Sequence, residues 1–173
     1  MANRMARRAA VAVVLAFGVA ACGSSPTGPG GGGEGVSATI GGESFSGSLA
    51  TAATYTEAGN AGGVLSFAGT AATGAGSSRQ LNVTVTGING PGTYNVGHGL
   101  TSIIVYTEVA LTGGSISTAT WTSTLVGGSG SVTITELTAT RAVGTFQFTL
   151  VPSNDKAVGN KSVTNGKFNV TLQ

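Results

Sequence analysis

Strict two-residue alternation is the feature that most limits what this chain can fold into. Leu81-Asn82-Val83-Thr84-Val85-Thr86 puts apolar and polar side chains on opposite faces if extended. Val132-Thr133-Ile134-Thr135, Phe146-Gln147-Phe148-Thr149-Leu150 and Phe168-Asn169-Val170-Thr171-Leu172 repeat the pattern. A period of two gives a strand one buried and one wet face, whereas an amphipathic helix needs 3.6. Thr suits the wet face because β-branched side chains pack well on a pleated surface. Turn formers divide these runs. Asn165-Gly166, between 161–164 and 167–172, predicts a tight hairpin, since a type I′ turn needs positive φ at both central residues. Gly41-Gly42 predicts a second. Gly127-Gly128-Ser129-Gly130 and Asn89-Gly90-Pro91-Gly92 mark further reversals.

Short alternating strands with frequent turns predict an all-β fold, an antiparallel β-sandwich. A closed or partly open antiparallel barrel is the alternative. The expected strands are 36–40, 43–51, 64–70, 79–86, 92–96, 103–111, 118–126, 131–138, 142–151, 161–164 and 167–172, with room for a helical turn within 50–57. The expected core holds Ile40, Phe45, Leu65, Phe67, Leu81, Val83, Val85, Ile103, Val105, Trp121, Leu125, Val132, Ile134, Phe146, Phe148, Phe168 and Val170. Lys161 and Lys167 would flank the last hairpin and guard a sheet edge.

The first residues read differently. Arg4, Arg7 and Arg8 precede an uncharged run that ends in small residues, the order of a secretory signal. The run is too short to span a bilayer, which takes about 20 apolar residues. Arg7-Arg8 lacks the polar and aromatic flanks of a twin-arginine signal. Val19-Ala20-Ala21-Cys22 then resembles the lipobox of bacterial lipoproteins. That resemblance implies a diacylglyceryl thioether on Cys22 and cleavage before it. A plain secretory signal with an incidental Cys is the competing reading. Two or more acyl chains anchor a protein stably where one does not.

Residues 1–21 are thus expected to be a signal peptide, and 22–35 a lipidated Cys and a Gly/Ser/Pro tether. Residues 36–173 would be one β-sandwich domain. A Gly-rich tether of this length has an r.m.s. span of roughly 20 Å. Gly23, where Asp would favour inner-membrane retention, implies by the same resemblance an outer-membrane address. Gly130-Ser131-Val132-Thr133-Ile134-Thr135, 138–148 and Val163-Thr164-Asn165-Gly166-Lys167-Phe168 resemble small all-β lipoprotein domains of unknown function from Gram-negative bacteria. Ile40-Gly41-Gly42-Glu43-Ser44-Phe45 and Gly92-Thr93-Tyr94 fit them too. The resemblance implies a sandwich and no activity.

Little in the sequence points to chemistry. The chain has eight Lys and Arg against six Asp and Glu. Removing the signal leaves Arg79, Arg141, Lys156, Lys161 and Lys167 against six acids, so the basic balance belongs to the leader. No basic patch with interleaved aromatics supports nucleic-acid binding. With Cys22 acylated no thiol remains for disulfide, metal or nucleophilic chemistry. His98, flanked by glycines, is the one histidine. The six carboxylates are dispersed, although Glu108 and Glu136 could face one another across neighbouring strands. Asn154-Asp155 reads as an ordinary Asx turn rather than a calcium site. No catalytic residue, metal site or cofactor is expected. Trp121, Tyr94 and Tyr106 are the candidates for ligand contact, as a sugar-stacking face. The expectation is a lipid-anchored, non-enzymatic envelope protein with a structural or protein-contact role. Its partners would be the membrane, through Cys22, and envelope proteins. A glycan or small-ligand binding module is the alternative.

Overall fold

A computed structural model describes residues 34–47 and 50–173. Among them are eleven strands and no α-helix. They are β1 (Gly35–Ile40), β2 (Glu43–Ser46), β3 (Ala50–Thr56), β4 (Gly63–Gly74), β5 (Ser77–Ile88), β6 (Gly92–Gly97), β7 (Ile103–Thr112), β8 (Ser115–Thr122), β9 (Ser129–Leu137), β10 (Arg141–Pro152) and β11 (Lys161–Thr171). All pairings are antiparallel. One sheet runs β2-β1-β11-β10-β9-β6, the other β3-β4-β5-β7-β8. The end of β10 joins them, with Val151 and Pro152 opposite Thr122 and Trp121 of β8. The sheet does not close into a barrel, and the layout is that of a β-sandwich.

The two sheets run across one another. Lys161, at the start of β11, reaches Glu108 of β7 and lies over Trp121 of β8. Phe168, further along, stacks on Phe67 of β4. Beyond the strand, Gln173 N–H donates to Ala53 C=O of β3. One strand thus passes over four strands of the facing sheet in turn. Strands that switch sheets at a corner, as β10 does, typify such crossed packing.

The alternation is realised as expected in β5, β9 and β10, where Leu81, Val83, Val85, Val132, Ile134, Phe146, Phe148 and Leu150 are buried. Gly41 and Gly42, with φ of 60° and 89°, close the β1–β2 hairpin between paired Ile40 and Glu43.

Four expectations fail for identifiable reasons. Asn165-Gly166 makes no hairpin, because β11 runs unbroken through it. Ser37 pairs with Lys167 and Thr39 with Thr164, so Asn165 and Gly166 together oppose Ala38 as a bulge. Asn165 supplies the positive φ of 53°. Gly166 is required by packing, since a Cβ there would overlap the Phe146 ring. β11 consequently lies between β1 and β10, and Lys161 and Lys167 guard no edge.

In β7 the inward residues are Ile104 and Tyr106, while Ile103 is 46% exposed and Val105 is half-buried. The run Ile103-Ile104-Val105-Tyr106 has no polar member to choose a face. Register decides it: Ile104 pairs with Val83 and Tyr106 with Leu81, both inward. Leu125 is exposed because β8 ends at Thr122. Finally, 50–56 is a separate strand and the only helical turn nearby is a 3-10 turn at Gly59–Ala61. Pairing with β4 overrides the helical preference of its alanines.

Two substitutions test this packing. Gly166→Ala should cost about 1–3 kcal/mol, the usual penalty for overfilling a packed site. Phe168→Ala should cost about 3–5 kcal/mol and lower the thermal midpoint by roughly 10 °C. Urea and thermal melts read both. A neutral Gly166→Ala would mean that the bulge is not seated on Phe146.

Candidate functional site

Four of the eleven charged side chains after residue 21 meet where β5, β7, β2 and β11 converge. Arg79 and Glu108 are directly opposed across β5 and β7. Both continue the inward rows of their strands, Arg79 after Leu81 and Glu108 after Tyr106. The facing sheet brings Glu43, placed by the Gly41-Gly42 turn, and Lys161, which opens β11. With Thr73, Ser77, Ser78, Val109 and Ala110 they line an open polar depression of about 540 Å³.

The charges pair across the sheets. Lys161 Nζ donates to Glu108 Oε1 at 2.8 Å, and Tyr106 O–H donates to the same oxygen at 3.0 Å. Lys161 Nζ also lies 4.6 Å from the Trp121 ring centroid, a cation–π distance. Arg79 Nη1 donates to Glu43 Oε2 at 2.9 Å and Nη2 to Ser44 C=O at 3.3 Å. Arg79 Nε is buried without a partner. Glu43 is 76% exposed while Arg79 is only 17% exposed, so the carboxylate is the movable member. Beneath Lys161, Tyr106 and Trp121 sit 5.8 Å apart between centroids, and Phe45 meets Tyr106 edge-on. Burial pushes the Tyr106 hydroxyl well above the ordinary tyrosine range; the Glu108 charge and hydrogen bond add to this, and Arg79 opposes it.

The chemistry open to this arrangement is recognition by hydrogen bonds and charge. A ligand entering the depression competes with Glu43 for Arg79. The other singled-out residues lie elsewhere. Cys22, Val19, Ala20 and Ala21 lie outside the described residues. Trp121 and Tyr106 are neighbours but buried, with Trp121 Nε1–H donating to Gly159 C=O at 2.8 Å. Tyr94 is half-buried on β6, its hydroxyl donating to Gly90 C=O at 2.6 Å. The three rings therefore share no exposed stacking face. His98 is exposed on the turn after β6. Glu136 is on β9 and pairs with Arg141 at 3.8 Å, away from Glu108. Asn154 does form the turn, its Oδ1 accepting from Ala157 N–H and Thr120 N–H. Among the described residues no three His, Cys, Asp or Glu side chains are grouped for a metal.

Residues 37–170 match the family model described as Domain of unknown function (DUF6252). The chain belongs to that family. Neither the curated proteins nor the solved structures provide a match. The match spans β1 to near the end of β11, so the depression is built wholly from this DUF6252 domain. Sequence reasoning missed Arg79, Lys161 and Glu43 as a group. The one usable signal was that Arg79 and Glu108 stand where an alternating strand would place an inward apolar residue.

The raised Tyr106 pKa sets a pH dependence. The native state holds the proton more tightly than the unfolded chain, so the contribution is intact below the ordinary tyrosine value. It is lost as pH rises from about 10 upward, at a limiting slope of about 1.4 kcal/mol per pH unit. Urea midpoints measured from neutral to alkaline pH should fall along that limb, and Tyr106→Phe should flatten it. An unchanged limb in the variant would place its origin elsewhere.

Proposed function

We propose that the chain is a lipid-anchored bacterial envelope protein, held at the outer membrane through Cys22, whose non-catalytic β-sandwich serves a structural or protein-contact role. The observation that carries this reading is Val19-Ala20-Ala21-Cys22, placed after an arginine-led uncharged run and before a Gly/Ser/Pro stretch. The ion pairs support it as well: Glu43, Glu108, Glu136 and Asp155 each pair with a cation. Carboxylates so placed are held as partners in charge pairs.

The alternative reading, a glycan or small-ligand module, draws on one observation, the depression around Arg79 with its mix of donors and acceptors.

Expression of the full chain in a Gram-negative host tests the first reading. The wild-type protein should fractionate with outer membranes, begin at Cys22 after cleavage, and carry the mass of added acyl chains. Cys22→Ala should lose the acyl mass and leave the membrane fraction. A wild-type N-terminus elsewhere, or an unmodified Cys22, overturns the reading. Thermal unfolding across glycans and small polar ligands tests the second. A ligand near 100 times its Kd should add about 2.7 kcal/mol, and Arg79→Ala should abolish the shift.

A further inference from the structure

Among the described residues, five of the seven large apolar side chains that stand exposed gather at one rim of the sandwich: Leu100, Ile103, Leu125, Val126 and Val158. Val126 and Val158 are 80% and 84% exposed. Three loops form this rim, and hydrogen bonds hold them to one another and to the strand ends. His98 N–H donates to Gly128 C=O, joining 98–102 to 123–128. Ser123 exchanges bonds with Ile104, its N–H to the C=O and its Oγ accepting from the N–H. Ser153 N–H donates to Thr120 C=O and Trp121 Nε1–H to Gly159 C=O, fixing 153–160 along β8. The rim is thus built on loops bonded to the strands, and apolar side chains exposed together on one rim mark a candidate contact site.

We infer that this rim docks on the lipid surface to which the chain is tethered, an inference that rests on the lipid anchor proposed above. Three observations favour lipid as the occupant. The exposed residues are all aliphatic, without the Trp, Tyr and Arg that anchor protein interfaces. The only titratable groups in the three loops are His98 and the mutually paired Asp155 and Lys156, so the rim has no net negative charge to be repelled by anionic lipid. Glu43, at the β1–β2 turn of the rim end, is paired with Arg79, and two further carboxylates stand at the opposite end of the same sheet. There Glu34 accepts from Thr171, and Glu136 pairs with Arg141.

Chain length permits the docked pose. Glu34 lies by the Leu137 end of β9, and the rim by its Ser129 end, because Leu137 and Ala142 pair near Val170. A nine-residue strand spans about 27 Å. The stretch from Cys22 to Glu34 reaches at most about 40 Å when extended. The anchor can therefore sit in the same bilayer that the rim touches, and tethering keeps that surface at high effective concentration.

The acylated full chain, reconstituted in phosphatidylethanolamine vesicles with a minority of phosphatidylglycerol, provides the test. With Cys22 acylated, Val126→Cys offers a single thiol for an environment-sensitive fluorophore. Ile116→Cys is the control, since Ile116 is 73% exposed at the far end of β8, about 20 Å from Thr122. The Val126 probe should shift to the blue and be quenched several-fold by lipid-borne quenchers, while the Ile116 probe stays aqueous. Adding Leu125→Asp to the Val126 probe variant should remove the shift. Both probes aqueous would overturn the inference and leave the rim free for a protein partner. A shift at Ile116 alone would assign docking to the β7–β8 tip, and shifts at both would mean unoriented adsorption; either overturns it. Mass analysis of Cys22 in the same sample separates the two failures, because an acyl-free Cys22 removes the anchor and this inference together.

Discussion

A ring contact across the two sheets ties the packing of one to the other. Phe67 of β4 stacks on Phe168 of β11 at 4.4 Å and lies 6.0 Å from Phe146 of β10. Phe146 in turn stacks on Phe148 at 5.2 Å. Such rings contribute through buried area and through about 0.5–1.5 kcal/mol per pair beyond it. Their positions also fix the backbone. Phe146 occupies the space a Gly166 side chain would need, so the aromatic cluster and the β11 bulge require one another. The bulge then resets which face of β11 points inward. Before it Val163 is buried, and after it Phe168 and Val170 are. Val163 and Phe168 are five positions apart, an odd interval that uninterrupted period-two alternation forbids. The extra residue absorbs the difference.

The charged corner depends on that geometry. Lys161 meets Glu108 only because β11 crosses the facing sheet, starting above β7 and β8. At 23% and 33% exposure the pair is partly screened, and it closes the open end of the sandwich over Tyr106 and Trp121 more than it stabilises by Coulomb attraction. A lysine laid over two rings shields apolar surface with its stem while its ammonium meets a carboxylate. In the same corner exposed Glu43 sits on a four-residue strand with one neighbour. An exchangeable carboxylate on a largely buried arginine is what a recognition site requires, and it is also what a structural ion pair looks like.

The fold class was legible because alternation is a local signal. Leu81, Val83 and Val85 declare their face without reference to any other strand. Where the signal vanished, so did the reading. Ile103-Ile104-Val105-Tyr106 is apolar on both parities, and only pairing with Leu81 and Val83 reveals the inward pair. Asn165-Gly166 has the chemistry of a turn and of a bulge, because both use a residue in the left-handed region. Local sequence cannot separate them; the neighbours on both sides of β11 do. The candidate site was the least legible part, for Glu43, Arg79, Glu108 and Lys161 lie far apart in sequence and meet through crossed packing. Trp121 and Tyr106 stood out as aromatics, but nothing local announced that Lys161 would cover them.

A chain with so few charges must still keep its sheet edges from pairing with other chains. The lysines once expected to do this are used elsewhere, Lys161 in the corner and Lys167 on an interior strand. The edges are managed by geometry instead. β2 is four residues long and carries Glu43. β3 is longer and uncharged, yet Gln173 N–H already takes the carbonyl of Ala53 at its middle. β6 is six residues long and bounded by Pro91 and the Gly97 turn. Short, interrupted or partly occupied edges offer little template for strand addition. Among the described residues, four of the seven exposed large apolar side chains, Leu100, Leu125, Val126 and Val158, lie on loops rather than on strands. A surface of that kind suits a fluid or featureless partner better than an extended peptide, which would need a free edge to bind by backbone.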